Sequence, residues 1–135
     1  MIERSYTLIE QVPSAEDFVR LRIISGLTPR PLAAAKQALP NSLYGVQICI
    51  AEQTIAMGRV VGDGALNFDI VDVAVDPVYQ GQGFGRLIMQ SIMDYLDKTA
   101  FKGAYITLMA DVPALYTKFG FKLSRPASEG MYIIK

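Results

Sequence analysis

The sequence predicts a mixed α+β domain, in which a mostly antiparallel sheet carries helices on both faces. Three apolar runs in the middle of the chain are separated by short turn sequences and indicate a meander of strands. A glycine-rich run then opens a long amphipathic helix, and one further apolar run follows it. Because a helix joins these last two strands, they should be parallel. The chain has 135 residues, 51% of them hydrophobic, which suits one core, so we expect a single domain over residues 1–135.

The N-terminal third predicts one short strand and two helices. Residues 6–10 read as the strand. Ser14 is placed to cap a helix, with Asp17 as its reciprocal partner. Prolines at positions 29 and 31 end that helix, since proline lacks the amide that a helix interior needs. A short alanine-rich helix over residues 32–39 follows.

The rest of the chain predicts the meander and the parallel crossover. Residues 43–51, 54–61 and 65–75 are the three antiparallel strands, with a turn at 62–64. The long helix runs from the glycine-rich segment to about residue 98, and a strand covers 104–110. A short helix at 113–119 has Asp111 as its candidate cap. Residues 131–134 predict a final strand.

Composition excludes several classes of function. Lysine plus arginine equal aspartate plus glutamate at 13 each, so no charge bias favours nucleic acid or an anionic membrane. The absence of histidine removes histidine triads and histidine-bound zinc, and we expect no metal. One cysteine, Cys49, cannot form an internal disulfide. With no signal-peptide pattern and no membrane-length apolar run, a cytoplasmic setting is expected.

The glycine-rich run is the strongest functional signal in the chain. Glycines let backbone amides approach a ligand closely, and a helix start adds unpaired N–H groups and a positive dipole end. A pyrophosphate cradle is therefore expected. A P-loop would need lysine after the last glycine, and a dinucleotide fingerprint would need glycine at position 86, which is Arg86. The candidate cofactor-binding residues of this loop are Gln80, Gly81, Gln82, Gly83, Phe84, Gly85 and Arg86.

Two segments resemble the GCN5-related N-acetyltransferase (GNAT) superfamily. Residues 80–86 are similar to its Q/R-x-x-G-x-G/A motif, with Gln80, Gly83 and Gly85 at the named positions. Residues 114–121, which contain Tyr116, are similar to its tyrosine signature. The resemblance implies that the fourth and fifth strands splay apart and that acetyl-CoA lies in the gap. It adds three backbone positions to the cofactor site: Val73, Ala74 and Val75.

The same resemblance implies an N-acetyltransferase in which an amine attacks the thioester directly in a ternary complex. Tyr116 would then protonate the departing thiolate, its alternative role being packing. The general base is less determined by the residues: Asp72 is favoured, with a structural salt bridge or a loop-capping role as alternatives. Asp69 lies on the same strand, an odd number of residues away, which predicts that the two carboxylates face opposite sides of the sheet.

The acceptor is expected to be a small-molecule amine bound near the first helices. The candidate substrate-binding residues are Arg22, Thr28, Arg30 and Arg59. Arginines suit a carboxylate or phosphate, which favours an amino acid or another anionic amine, although solvated or structural arginines would look the same. A protein tail as acceptor and a homodimer both stay open. The competing hypothesis is a non-catalytic module that binds or senses acyl-CoA on the same fold.

Overall fold

The computed structural model describes residues 5–135 and contains one five-stranded sheet in the order β1-β2-β3-β4-β5. The strands are β1 (Thr7–Ile9), β2 (Tyr44–Ile50), β3 (Gln53–Gly62), β4 (Asn67–Val75) and β5 (Tyr105–Leu108). The α-helices are α1 (Ala15–Ile24), α2 (Leu32–Ala38), α3 (Phe84–Thr99) and α4 (Pro113–Thr117). Single 3₁₀ turns cover Leu39–Asn41 and Pro77–Tyr79.

Strand pairing confirms the predicted mixed sheet. The first three pairs are antiparallel, and β4 pairs with β5 in parallel. The predicted cap of α1 is present, since Ser14 Oγ accepts the amide of Asp17 at 3.1 Å. The β2–β3 turn lies one residue earlier than predicted: Ala51 and Glu52 both have positive φ, of 51° and 66°.

Helices cover both faces of the sheet, as predicted. Helix α3 packs its buried side chains, among them Ile88 and Ile92, on one face. Gly58 of β3 permits this close approach, because a Cβ there would lie 2.7 Å from the Ile88 side chain. Helices α1 and α2 cover the other face, where Leu21 packs in a second cluster with Met57.

A bulge in the β3–β4 pair changes which residues of β4 share a face. Arg59 lies opposite Val71, but the register then shifts, and Asp72 takes a positive φ of 60°. The extra residue moves Asp72 onto the α1 face, where it contacts α1 through Arg22. Asp69, two residues before Val71, already faces that side. The prediction that the two carboxylates lie on opposite faces is therefore wrong.

Two further predictions in the C-terminal part are wrong. Residues 131–134 form no strand, because no strand pairs with them in the described chain, and they are highly exposed. Asp111 does not cap α4; its N-cap is Val112, without a side-chain hydrogen bond. Within residues 5–135, no helix has the length and apolar character needed to span a membrane.

Candidate active site

The glycine loop presents backbone amides at the start of α3. Gly81 and Gly83 have positive φ values of 76° and 91°. Residues with a side chain rarely adopt this backbone conformation, whereas glycine adopts it easily. Gly83 is the N-cap of α3, and as a glycine it has no side chain that could accept a helix amide. The hydrogen bond from Leu87 N to Gly83 O, at 3.1 Å, is the first of the helix, so the amides of residues 84–86 have no intrahelical acceptor. These N–H groups fit the phosphates of a CoA ligand.

The last glycine of the motif differs from the other two. Gly85 lies inside α3 and has no positive φ. A Cβ at this position would lie 3.7 Å from Cγ2 of Val75, an ordinary van der Waals distance. The backbone conformation of the loop therefore depends on Gly81 and Gly83 more than on Gly85.

Two glutamine side chains connect the loop to the end of β4 and to the 3₁₀ turn that follows it. Gln80 donates from Nε2 to the carbonyl of Val75 at 3.0 Å, and Gln82 donates to the carbonyl of Val78 at 3.5 Å. Gln80 thus holds the loop against the end of β4. This bond occupies one lone pair of the Val75 carbonyl, which leaves the other lone pair for a ligand. Arg86 is exposed and makes no ion pair with the described residues.

Strands β4 and β5 separate beyond their fourth pair of residues. Their register runs from Asn67 opposite Tyr105 to Ile70 opposite Leu108 and stops there. The following part of β4, which holds Val73, Ala74 and Val75, pairs with β3 alone. A free strand edge of this kind can pair with an extended ligand as another strand would.

A cavity of about 980 Å³ opens beside β5 and α4. Tyr116 lines it, is half-buried and meets Phe121 edge-on, with ring centroids 6.4 Å apart. Burial, and secondly the negative charge of Asp111, raise the pKa of the Tyr116 phenol above its ordinary value. The hydroxyl therefore stays protonated at neutral pH and is able to donate.

Asp72 is held by two arginines. Its Oδ1 accepts from Arg22 at 2.5 Å, and its Oδ2 accepts from Arg59 at 2.6 Å. Arg22 also donates to the carbonyl of Thr28, and Arg59 donates to Ser42. Both carboxylate oxygens thus accept hydrogen bonds within the protein. We name this group, Arg22–Asp72–Arg59, the arginine triad.

Asp69 has a different environment. It is partly buried, and its Oδ1 accepts one hydrogen bond, from Thr107 Oγ1 at 3.1 Å. Burial is the largest influence on its carboxyl and raises the pKa, the Thr107 hydroxyl opposes that shift, and the charge of Asp72 adds to it. Thr107 itself lines the cavity that contains Tyr116.

The four predicted acceptor-binding residues fall into two groups. Arg22 and Arg59 are largely buried in the arginine triad, with side chains 7% and 16% exposed. Thr28 and Arg30 are exposed on the segment between α1 and α2. No group of three or more metal-ligating side chains occurs within residues 5–135.

The cavity wall supplied by β5 was not predicted. Thr107 lies in a four-residue edge strand with no motif around it, so its contact with Asp69 has no signal in the sequence. Only the parallel register, in which Asp69 lies opposite Thr107, brings the two side chains together.

Comparison with known proteins decides the family. The family model described as an acetyltransferase (GNAT) domain matches residues 45–123, which include the loop, both splayed strands and Tyr116. This chain belongs to the GNAT family. Its similarity to solved GNAT structures agrees with the fold and with the acetyltransferase class of that family.

Two solved structures resemble this GNAT chain over nearly its whole length. A protein of unknown function from meticillin-resistant Staphylococcus aureus, called a probable acetyltransferase, is 44% identical with a TM-score of 0.93, covering 97% of this chain and 100% of that one. A GNAT family protein from Streptococcus pneumoniae TIGR4 is 27% identical with a TM-score of 0.78, covering 97% and 98%.

A curated relative is longer. Histone acetyltransferase TAP1 of Glycine max is 32% identical over 120 residues, which are 79% of this GNAT chain and 51% of the relative. The chain thus spans about half the length of the curated relative that it matches. GNAT enzymes use acetyl-CoA as the acetyl donor, and the amides at the start of α3 suit its phosphates.

Proposed function

We propose that this protein transfers the acetyl group of acetyl-CoA to the amino group of a small anionic amine by direct attack in a ternary complex. The observation that carries the proposal is the position of Tyr116, a protonated phenol lining a cavity of about 980 Å³ beside β5 and α4. Donor, acceptor and acid can meet there without a covalent enzyme intermediate.

The donor would lie between the splayed strands. The backbone of Val73 to Val75 offers a strand edge for the amides of the pantetheine arm, and the amides of residues 81–86 would hold the phosphates. Arg86 is exposed at the same helix start and adds a positive charge for them.

Tyr116 supplies the general acid in this proposal. Breaking the thioester releases a thiolate, which needs a proton or a strong hydrogen bond. A phenol whose pKa lies above its ordinary value keeps its proton at neutral pH and can give it to a thiolate as charge develops. Helix α4 brings this phenol to the cavity.

For the general base, the contacts favour Asp69 over Asp72. Both oxygens of Asp72 already accept from arginines, which supports its salt-bridge alternative. Among residues 5–135, no donor bonds the second oxygen of Asp69. The raised pKa of Asp69 lies closer to neutral pH, where a base removes a proton from an ammonium more effectively. Thr107, which donates to this carboxylate, lines the cavity.

The anionic character of the acceptor rests on the charge of the α1 face. The arginine triad carries two positive charges and one negative, and Arg30 adds an exposed positive charge on the neighbouring segment. A carboxylate or phosphate on the acceptor would be attracted to this side. We therefore assign direct contact to Arg30 and Thr28, and a supporting electrostatic role to Arg22 and Arg59.

A protein acceptor is the second candidate, favoured by the relative that is named a histone acetyltransferase. An acceptor screen separates the candidates: amino acids, sugar phosphates carrying an amine, polyamines and a lysine-rich peptide are each incubated with acetyl-CoA, and thiol release is measured. We expect the fastest release with an anionic amine. Rapid release only with the peptide would replace the small-molecule proposal. Saturable acetyl-CoA binding without release for any acceptor would favour the non-catalytic module.

A further inference from the structure

Asp72 has a backbone conformation that is unusual for its place in the fold. Among residues 5–135, three residues other than glycine have a positive φ: Ala51, Glu52 and Asp72. The first two form the β2–β3 turn, where such angles are common, whereas Asp72 lies inside β4 with a φ of 60°. A side chain at positive φ is strained and persists only where its surroundings enforce it, most often at functional sites.

The bulge at Asp72 separates two parts of β4 that have different neighbours. On its N-terminal side, β4 pairs with both β3 and β5, and the parallel pairs end at Ile70. On its C-terminal side, β4 pairs with β3 alone. Between them, β4 has two residues, Asp72 and Val73, where β3 has one, Gly58. Because a bulge of this kind bends its strand, the direction in which β4 leaves β5 depends on the conformation of Asp72.

The side chain of Asp72 is fixed from outside its own strand. Aspartate tolerates positive φ best when its short side chain bonds the local backbone, but here both oxygens accept from the arginines of α1 and β3, at 2.5 and 2.6 Å. Both guanidinium groups are themselves anchored. Arg22 Nε donates to the carbonyl of Thr28 at 2.8 Å, and Arg59 Nη1 donates to Ser42 Oγ at 3.2 Å. The carboxylate is therefore held at two points by two different elements of the fold.

We infer that Arg22 and Arg59 are positioning residues, which act through Asp72 to hold the β4 bulge and thereby the strand edge that receives the donor. Acetyl-CoA lying along residues 73–75 belongs to the proposed function, on which this assignment rests. Neither arginine needs to contact the donor. Their effect is on the fraction of molecules whose β4 edge has the geometry for binding, and the apparent affinity of a ligand falls with that fraction.

This role differs from general stabilisation in its dependence on the φ of residue 72. Glycine adopts a φ of 60° without strain, whereas alanine is strained there. If the triad serves to hold this angle, glycine at position 72 should make the triad dispensable for donor binding, and alanine should not. Replacing a whole buried ion cluster by apolar residues of similar size is often tolerated, since no charge is left unpaired.

Two variants that differ by one methyl group test the role. Both carry Arg22→Met and Arg59→Met, and the third change is Asp72→Gly in one and Asp72→Ala in the other. Titration calorimetry with acetyl-CoA should give the glycine variant an affinity near that of the wild type. The alanine variant should bind about tenfold more weakly, the factor that the strain of a side chain at positive φ implies. Equal affinities for the two variants would overturn the inference.

Two controls accompany this pair. Val71→Gly and Val71→Ala compare the same two residues one position before the bulge, where φ is not positive. Glycine there should bind acetyl-CoA no better than alanine, because it only weakens the strand, and a glycine advantage at both positions would count against the role of the angle. Asp72→Gly and Asp72→Ala with both arginines present repeat the comparison in a second background. An alanine variant that fails to fold beside a folded glycine variant supports the inference, since only the angle at residue 72 separates them.

Hydrogen exchange without ligand measures the strand edge itself. The amide of Asp76, which donates to the carbonyl of Ile55 at 2.8 Å just beyond this edge, is a convenient reporter. It should exchange faster in the alanine triple variant than in the wild type, and the glycine triple variant should restore its protection. If the wild type does not bind acetyl-CoA, the proposed donor site is wrong and the positioning role falls with it. If the wild type binds but the glycine variant is no better protected and binds no more tightly than the alanine variant, the donor site stands and the positioning role alone is wrong.

Discussion

Thr107 donates a hydrogen bond to Asp69 across the only parallel pair among the described strands, at 3.1 Å between Oγ1 and Oδ1. The contact lies at the third of the four residue pairs, one pair before β4 and β5 separate. It connects a carboxyl of raised pKa to the cavity that contains Tyr116.

Asp69→Asn tests the proposed base. The amide cannot accept the proton of an ammonium, so the turnover number should fall by about 10²- to 10⁴-fold while acetyl-CoA affinity stays. Because the base acts in its charged form and its pKa is raised, the wild-type kcat/KM should decline on the acid side at a higher pH than for an ordinary carboxyl. The variant should lose that decline. An unchanged rate and pH profile would place the base elsewhere.

Thr107→Val tests whether Thr107 lowers the pKa of the Asp69 carboxyl. The hydroxyl donates to Asp69 and stabilises the charged form, so its removal should raise the Asp69 pKa further. The acid-side decline of kcat/KM should move to higher pH, and the rate at its plateau should change little. If the acid-side decline of kcat/KM stays at the wild-type pH, Thr107 does not affect the pKa of the catalytic base.

Asp72→Asn tests the arginine triad. The change leaves Arg22 and Arg59 without their carboxylate, and breaking a buried ion pair of this kind costs about 3–5 kcal/mol. Urea unfolding should show this loss, whereas Glu129→Gln, which breaks an exposed pair with Arg125, should cost under about 1 kcal/mol. If Asp72 is structural, the folded fraction keeps an acid-side pH profile, with its decline moved to lower pH because the charge of Asp72 no longer raises the Asp69 pKa. Loss of that profile with stability intact would restore Asp72 as the base.

Tyr116→Phe tests the proposed acid. One hydroxyl is removed with little volume, so the fold should survive, the turnover number should fall by about 10²- to 10⁴-fold, and the KM for acetyl-CoA should change far less. The wild-type rate should also decline on the alkaline side, above the ordinary pKa of a phenol, as Tyr116 loses its proton. Wild-type turnover in a folded variant would leave Tyr116 a packing role.

Gly83→Ala and Gly85→Ala form a matched pair. Alanine at Gly83 must hold a φ of 91°, where a side chain costs about 1–2 kcal/mol, so the cradle should distort and acetyl-CoA affinity should fall about tenfold. A methyl group at Gly85 would lie at an ordinary contact distance from the Val75 side chain. Gly85→Ala should therefore bind acetyl-CoA with an affinity closer to that of the wild type. Titration calorimetry measures both. Equal affinities would show that the positive φ is not needed for binding.

Local patterns were sufficient for the order of the elements and for the position of the glycine loop. Alternating apolar residues, turn sequences and the Ser14 cap act over a few residues, so strands, helices and the parallel crossover follow from them. The spacing of Gln80, Gly83 and Gly85 at a helix start likewise predicts the cradle, since the required backbone geometry is local.

The sequence by itself thus determined the fold class, the position of the loop and the family resemblance. Only the tertiary structure decided how the two β4 carboxylates differ. A single bulge turned Asp72 to the side of Asp69, and α1 then supplied Arg22 as its partner. Strand register and the open edge of β5 depend on pairing between distant segments, whose free energy comes from contacts that no local pattern encodes.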